Sequence, residues 1–314
     1  MSFERDNVDG AAMPESLPAL SLVAVPGRRH VTLEIAREAE RRGFSGLYVP
    51  SIFGNMAQCA ALALATERIA FGTAIAPIYA RTVEDFAHGA AYIHEVSGGR
   101  FRFGIGVAHA PSHLRMGVTP GQPLGDIRAF IAKFRSYEGI GALPPIILAA
   151  LRKRMVALAA EIADGLVCAN ASRSHMAESL AVIPAAKCAD PDFLVANMIP
   201  TCISDDIEAA RAVNRRTLTR YTMLPNYRNY WKEAGYIEEM AVIEAAISAG
   251  HQGDIAGLMS DRWLADATLF GTAASVRDGV AAWREAGITT PILVPSSASG
   301  NQLKAIEEIF AAFE

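Results

Sequence analysis

Short apolar runs alternate with longer amphipathic segments along most of the chain. The short runs predict eight strands, at 20–27, 44–53, 69–79, 100–108, 144–151, 166–171, 193–203 and 290–296. The longer segments predict helices at 30–43, 55–69, 82–99, 125–139, 152–165, 173–187, 272–288 and 300–313. Because strands that alternate with helices build a parallel sheet, and because these strands are apolar on both faces, the pattern predicts an α/β fold. Eight such units favour a closed (β/α)8 TIM barrel over an open, doubly wound sheet.

The alternation is interrupted once, by a mostly helical stretch from about 205 to 270. We interpret this stretch as a helical insertion before the last strand, so that residues 1–314 form a single domain. Residues 1–18 are polar and acidic at their start, and we expect them to be loosely ordered. A Pro- and Gly-rich segment, 109–124, is expected to be a loop.

The turn after the fourth predicted strand reads GRFRFGIGVAHAPSH. Gly104 and Gly106 resemble the start of a dinucleotide-binding fingerprint, but His109 stands where its third glycine is required. Pro111 then follows instead of a long helix. The Rossmann interpretation therefore fails, and another reason is needed for two glycines here.

The composition of the chain excludes some classes of binding partner. The chain is 51% hydrophobic and 20% charged, with a net charge of −4 and no basic block, which argues against nucleic acid or an anionic membrane as a partner. The four cysteines are scattered without a C-x-x-C pair, which is typical of small buried side chains in a reducing cytoplasm. We find no secretory signal and no apolar run long enough to cross a bilayer.

Residues that follow the predicted strands are mostly small and apolar, with few acids or bases. His88 and His94 fall within one helix, and Pro111 separates His109 from His113, so we predict no metal site. Neither a G-x-S-x-G elbow nor a Walker loop occurs. Strand ends with so few acid–base groups suit a large planar cofactor, because the cofactor then supplies the reactive group itself.

Four segments carry a resemblance to a known family: GTAIAP-x-YAR at 72–81, E-x-SGGRFRFGIGV at 95–107, PIILAALRKRMVALAAEIADG at 145–165 and GTAASVRDGVAAWREAGI at 271–288. In this order they resemble the bacterial-luciferase-like flavin and deazaflavin oxidoreductases, especially the branch that uses coenzyme F420. The resemblance implies a (β/α)8 barrel, usually homodimeric, with a tricyclic cofactor across the carboxyl end of the barrel.

The resemblance also implies cofactor contacts at four strand ends. They are Thr73, Ala74 and Ile75, where relatives hold a non-proline cis peptide; Gly106, Val107 and Ala108; Ala149, Ala150, Leu151 and Arg152, near the cofactor phosphate; and Asn170 and Arg173. Leu151 and Arg152 depart from the glycines that relatives often have there. A first helical turn in solvent is the alternative interpretation for Arg152 and its basic neighbours.

The main departure follows the second strand. Deazaflavin relatives commonly have a proton-handling histidine before a phenylalanine, whereas this chain has Ile52 before Phe53. Ile52 cannot transfer a proton, so His109 is the candidate catalytic residue, with Ser51 as a second candidate. A structural role for His109 stays open.

Three functions follow as hypotheses. The first is a hydride transfer between coenzyme F420 and a small, largely apolar organic substrate. The second is an FMN-dependent monooxygenase, and the third is a non-redox protein on the same fold. Five aromatic residues of the insertion either line a substrate cavity or serve as packing anchors: Tyr221, Tyr227, Tyr230, Trp231 and Trp263.

Overall fold

The computed structural model describes residues 17–314. Of the segment expected to be loosely ordered, residues 1–16 lie outside this range. Leu17 forms a parallel β-bridge with Phe44, and Pro18 is buried, so the chain is part of the fold from Leu17 onward. Within residues 17–314, no helix is both long and apolar enough to cross a membrane.

Parallel strands alternate with helices as the sequence predicts. The strands are β1 (Ala19–Ser21), β2 (Gly46–Pro50), β3 (Ala70–Ala74), β4 (Ala76–Pro77), β5 (Phe101–Gly106), β6 (Ile146–Ala149), β7 (Gly165–Ala169), β8 (Leu194–Ile203), β9 (Leu269–Gly271) and β10 (Thr290–Ser296). The helices up to β8 are α1 (Arg29–Arg42), α2 (Asn55–Ala65), α3 (Val83–Val96), α4 (Ala110–Met116), α5 (Pro123–Arg135), α6 (Lys153–Ile162), α7 (Met176–Leu180) and α8 (Ala185–Cys188). The remaining helices are α9 (Ile207–Thr222), α10 (Pro225–Glu233), α11 (Ile237–Ser248), α12 (Ile255–Leu258), α13 (Asp261–Ala267), α14 (Ala273–Glu285) and α15 (Gln302–Ala312).

The sheet closes on itself through β10. Its residue Ile292 pairs with Ala19 of β1 on one side and with Met198 of β8 on the other. The strand order is β10-β1-β2-β3-β5-β6-β7-β8, so eight parallel strands form a closed (β/α)8 barrel, as predicted. The short strand β9 lies outside this ring and pairs with residues 201–203 of β8, beyond the last residue that β7 contacts.

Side chains fill the barrel interior in alternation along the strands. Tyr48 points inward between Leu47 and Val49, and Ile147 points inward between its two apolar neighbours. The inward cluster also contains Ala19, Ala74, Ile75, Val167, Ala196 and Ile292. The outward side chains pack under the helices in a second, larger layer. Both faces are therefore buried, which explains why the strands read as continuous apolar runs.

The two glycines of β5 are required by the closeness of its neighbours. A Cβ on Gly104 would lie 1.7 Å from the carbonyl oxygen of Thr73, and one on Gly106 would lie 2.8 Å from the Cβ of Ala149. These distances leave no room for a side chain, so β5 presses directly against β3 and β6. This is the physical reason for the GIGV sequence.

Arg100, from the SGGRF motif, is a structural residue at the opposite end of the barrel. Its guanidinium donates to the carbonyl oxygens of Ala63 in α2 and of Thr66 and Ile69 between α2 and β3, and its Nε donates to the carbonyl oxygen of Ser97. Burial lowers the pKa of this guanidinium below its ordinary value. The SGGRF motif thus ties α2 and α3 to the start of β5.

Helices α9–α13 form the helical insertion predicted before the last strand, and this insertion holds the loop after β7. The indole N–H of Trp231 donates to the carbonyl of Asn170 at 3.2 Å, and the backbone N–H of Ser172 donates to the hydroxyl of Tyr230 at 3.0 Å. Two residues further along, Ser174 donates to the carboxylate of Asp266 from both its N–H and its hydroxyl, each at 2.8 Å.

The first predicted strand, 20–27, already ends at Ser21, and the third, 69–79, is divided at Ile75 into β3 and β4. Two further segments also differ from the prediction. The expected loop 109–124 contains α4, because Pro111 lies in the first helical turn, where no N–H donor is needed. The expected helix 173–187 is instead divided into a 3-10 turn (Arg173–His175), α7 and α8. Pro184 caps the start of α8, and a proline disfavours helical geometry in the residue before it, which separates the two helices.

Replacing Gly104 by Ala is expected to destabilise the fold by about 3 kcal/mol or more, because the new methyl group collides with the Thr73 carbonyl. Urea unfolding measures the effect. Gly125, exposed in the first turn of α5, is the matched control, because a Cβ there would make only an ordinary contact with the Cβ of Gln122, at 4.0 Å. Gly125→Ala should leave stability unchanged or raise it by up to about 1 kcal/mol. Equal effects at the two glycines would contradict the close approach of β5.

Replacing Tyr230 by Phe is expected to cost about 1–3 kcal/mol, because the buried N–H of Ser172 loses its partner. Amide hydrogen exchange should also become faster at Ser172 than in the parent protein. Tyr137→Phe is the control, since Tyr137 packs against the core and its hydroxyl has no hydrogen-bond partner within residues 17–314. Unchanged protection of Ser172 in the Tyr230 variant would show that the insertion does not hold this loop.

Candidate cofactor and substrate site

The predicted cofactor contacts lie on neighbouring strands at the carboxyl end of the barrel. The segments 73–75, 106–108, 149–152 and 170–173 follow or end strands β3, β5, β6 and β7, which are adjacent in that order. The structure therefore brings all four segments together in one arc of the barrel mouth. This is the end at which barrels of this kind carry their active sites.

Backbone atoms and small side chains form the base of this arc. The peptide bond between Ala74 and Ile75 is cis, as the resemblance implied. The Thr73 hydroxyl donates to the carbonyl of Gly104 at 2.6 Å, and Asn55 Nδ2 donates to the carbonyl of Ile75 at 3.2 Å. Both residues are buried, so their side chains fix the backbone rather than reach for a ligand.

Ala108 and Asn170 both have left-handed backbone geometry, with φ of 58° and 53°. This conformation is uncommon for residues other than glycine and recurs at binding and catalytic sites. The ring Nε2 of His113 lies 2.5 Å from the carbonyl of Val107, just before Ala108. For Asn170, the restraint is the bond from Trp231. The two turns that border the arc are thus each held by a side chain from a later helix.

Asn170 has an unused polar group. The residue is 2% exposed, and its Nδ2 has no hydrogen-bond partner among the described residues. Its backbone is fully engaged, because its N–H donates to Met198 and its carbonyl accepts from Trp231. A buried amide without a partner carries a free-energy cost, which a ligand that accepts its hydrogen bond would remove.

The amino end of α6 is positively charged. Arg152, Lys153 and Arg154 begin this helix, no acid lies in its first turn, and no side chain caps it. Arg152 forms an ion pair with Glu233 of α10, and Lys153 forms one with Glu178. Cations at a helix N-terminus oppose the helix dipole. The amino end of α6, which forms a cationic edge of the barrel mouth, therefore favours an anion from outside the chain.

Two arginines at this edge have no acidic partner within residues 17–314: Arg154 and Arg173. Arg173 follows β7, which pairs directly with β6, the strand before α6. Leu151, by contrast, packs its side chain against the core, and Ala150 is buried with its N–H bonded to the carbonyl of Val167. Of the predicted set near α6 and β7, the side chains of Arg152, Asn170 and Arg173 therefore remain to contact an anion, and Arg152 does so while paired with Glu233.

His109 is half-buried at the N-cap of α4, with its ring centre 5.4 Å from that of Tyr227. Burial, with a smaller contribution from the charge of His113, lowers the pKa of His109 below its ordinary value. At neutral pH the imidazole is therefore uncharged and able to accept a proton.

Ser51, the second catalytic candidate, is exposed and lines a cavity of about 390 Å³. This cavity lies between the β2–α2 turn and α4, and the guanidinium of Arg115 covers the ring of Phe53 at its edge, 5.0 Å away. Ile52 also lines the cavity, so the position expected to hold a proton-transfer group in deazaflavin relatives is apolar here.

A second cavity, of about 190 Å³, lies on the other side of the mouth, at the ends of β1, β2, β7, β8 and β10. Sequence reasoning missed its residues on β1, β8 and α15, because they lie inside the predicted first strand, seventh strand and last helix rather than after a strand. Of the five aromatic residues of the insertion, Tyr221 lines this cavity, whereas Tyr227, Tyr230, Trp231 and Trp263 are buried packing residues.

Metal-binding groups do not converge in the part of the chain that the structure describes: residues 17–314 contain no group of three His, Cys, Asp or Glu side chains able to hold an ion. Three of the four cysteines are buried, as expected of small apolar side chains, while Cys188 is exposed. A backbone base, an unpartnered amide and a cationic helix edge together fit a flat organic cofactor with an anionic tail.

Comparison with known proteins identifies the family. The family model described as luciferase-like monooxygenase matches residues 19–138 and 129–290. A Mycobacterium tuberculosis protein provisionally named a coenzyme F420-dependent oxidoreductase is 26% identical, with 88% of this chain and 93% of that protein covered. The 5,10-methylenetetrahydromethanopterin reductase of Methanolobus tindarius is 25% identical, with 87% and 92% covered.

Solved structures share the fold. The coenzyme F420-dependent tetrahydromethanopterin reductase of Methanopyrus kandleri superposes with a TM-score of 0.74 at 20% identity, covering 95% of this chain and 100% of that one. An F420-dependent secondary alcohol dehydrogenase, in complex with an F420–acetone adduct, gives 0.69 at 16% identity, covering 96% and 100%. Since the family match spans most of the barrel described above, this chain belongs to the luciferase-like monooxygenase family.

Proposed function

We propose that this protein is an oxidoreductase that transfers a hydride between coenzyme F420 and a small organic substrate. The observation that carries the proposal is the cationic edge formed by the start of α6 and by Arg173, with no acid in the first turn. The tail of coenzyme F420 bears several acidic groups, whereas FMN ends in a single phosphate. Relatives named for coenzyme F420 or for a methanopterin substrate support the same assignment.

In this proposal the bound coenzyme accepts or supplies the hydride. The chain binds and orients it. Ala74, Ile75 and Gly106 give the ring a smooth base, the N–H groups of Leu151 and Arg152 and the Arg173 guanidinium hold the anionic tail, and Asn170 Nδ2 donates to an acceptor at the mouth. His109 handles the proton that accompanies the hydride, and Ser51 is retained as the second candidate for that role.

The first experiment is a titration of the protein with coenzyme F420 and, separately, with FMN, followed by cofactor fluorescence. We expect saturable micromolar binding of F420 and weaker binding of FMN. A preference for FMN would favour the monooxygenase hypothesis. Absence of binding to both would leave the non-redox hypothesis.

Replacing Arg173 by Gln is expected to weaken F420 binding about tenfold, because a charge-assisted contact to the anionic tail contributes roughly 1.5 kcal/mol. The same titration measures it, and the loss should shrink at high salt. Arg68→Gln is the control, since Arg68 is exposed just before β3, at the other end of the barrel. If both variants bind F420 equally well, the cationic edge is not the binding site of the tail.

The lowered pKa of His109 has a measurable consequence. In the unfolded chain this histidine binds a proton at higher pH than in the folded protein, so stability is full above about pH 6.5 and falls as the pH drops toward the folded-state pKa. NMR titration of the imidazole should place its pKa below 6.5, and His109→Gln should reduce the acid-induced loss of stability. A measured pKa above 6.5 would contradict the burial described above.

We also propose a homodimer, as the resemblance implies, in the cytoplasm, as the scattered cysteines indicate. Adjacent helices α2 and α3 expose two large apolar side chains, Leu64 at 75% and Tyr92 at 59%. A cavity of about 240 Å³ lies between these helices. An exposed apolar face of this kind suits a second copy of the chain. Sedimentation velocity measures the oligomeric state.

A further inference from the structure

The segment after β7 contains a helical turn whose amino end is not capped by its own residues. Arg173–His175 form a 3-10 turn that continues directly into α7, and Ser172 occupies the N-cap position of this turn. Serine is a common capping residue, yet the hydroxyl of Ser172 has no hydrogen-bond partner among the described residues. Because the first N–H groups of a helical turn have no partner within it, the cap has to come from elsewhere in the chain.

Asp266, in the last turn of α13, supplies this cap. The residue is 8% exposed, and its Oδ1 and Oδ2 accept hydrogen bonds from the N–H and the hydroxyl of Ser174, each at 2.8 Å. The hydroxyl of Tyr236 donates to the same Oδ2 at 2.7 Å. Burial and the neighbouring Asp266 carboxylate raise the pKa of Tyr236 above its ordinary value, so Tyr236 keeps the proton that it donates. Three neutral donors therefore hold the carboxylate in one orientation.

Arg173 lies between two residues that the insertion fixes. Tyr230 accepts the N–H of Ser172, and Asp266 accepts the N–H of Ser174. Within residues 17–314, by contrast, neither the N–H nor the guanidinium of Arg173 has a hydrogen-bond partner. The backbone on both sides of Arg173 is thus held, while its own donors stay available to a ligand.

We propose that Asp266 is a positioning residue for the anion site, a step that rests on the proposed function. By fixing Ser174, Asp266 holds Arg173 where its guanidinium meets the anionic tail of the coenzyme. Asp266 does not contact the tail, because its carboxylate is occupied by Ser174 and Tyr236 and carries the same sign of charge. A turn that is already held loses less conformational entropy when the tail binds. The contribution of Asp266 to affinity therefore passes through Arg173.

A double-mutant cycle on F420 binding, followed by cofactor fluorescence, tests this dependence. Asp266→Asn is nearly isosteric, but it removes the charge and one of the two acceptor oxygens, and it should weaken F420 binding at least fivefold. In the Arg173→Gln background the same change should cost less than twofold, because the group that Asp266 positions is already absent. Equal losses in the two backgrounds would show that Asp266 acts independently of Arg173 and would overturn the proposal.

Asp261→Asn is the matched control, since it makes the same change in the same helix, where the exposed Asp261 pairs with Arg215. It should leave F420 binding unchanged, and a loss equal to that of Asp266→Asn would overturn the proposal. Ser174→Ala is a milder second variant, because it removes only the hydroxyl bond to Asp266. Its loss, about twofold to threefold, should also disappear in the Arg173→Gln background. Circular dichroism checks that each variant is folded.

The outcomes separate the positioning role from the coenzyme assignment. If Arg173→Gln weakens F420 binding and Asp266→Asn does not, the positioning role is wrong and the coenzyme assignment stands. If the parent protein does not bind F420, both are wrong.

Discussion

The barrel mouth depends on the contact between β3 and β5 at Gly104. The Thr73 carbonyl occupies the space that any side chain at Gly104 would need, and the Thr73 hydroxyl bonds the carbonyl of Gly104 from the same side. This contact fixes the relative position of the two strands. As a result, the side chain of Ile75 lies against Gly106, with its Cδ1 3.1 Å from where a Cβ would be. The base of the site is therefore backbone and short side chains, on which a planar group can lie.

The barrel provides the strand ends, and the insertion fixes the loop that follows β7. Its side chains bond three alternate residues of that loop, and Glu233 of α10 pairs with Arg152 at the start of α6. An isolated barrel would leave these polar groups to solvent. Changes in the insertion can therefore alter the binding loop while the barrel stays constant, which is one physical route by which enzymes of similar fold differ in substrate.

Most of the fold is predictable from the sequence because its signals are local. The last strand has the predicted bounds, and the first helix ends where Gly43 adopts a left-handed conformation. The prediction of a loop at 109–124 was wrong because proline disrupts a helix interior but not the first turn, where Pro111 lies in α4. In the site, four strand ends were predictable from the barrel alone. The bonds from Tyr230 and Trp231 were not, because they join residues about sixty positions apart.

Charge separates the two halves of the mouth. The β6–β7 side carries the unpaired cations, Arg154 and Arg173, and the β1–β8–β10 side carries no charge in its cavity lining. An anionic tail gains charge-assisted hydrogen bonds on the first side. On the second side it would lose its hydration without gaining a counter-ion. A neutral apolar molecule prefers the second side, because burial of its apolar surface against the apolar wall of the cavity is favourable. The distribution of charge alone therefore favours an anionic group on the β6–β7 side and an uncharged, apolar group on the other side, with Asn170 at the boundary between them.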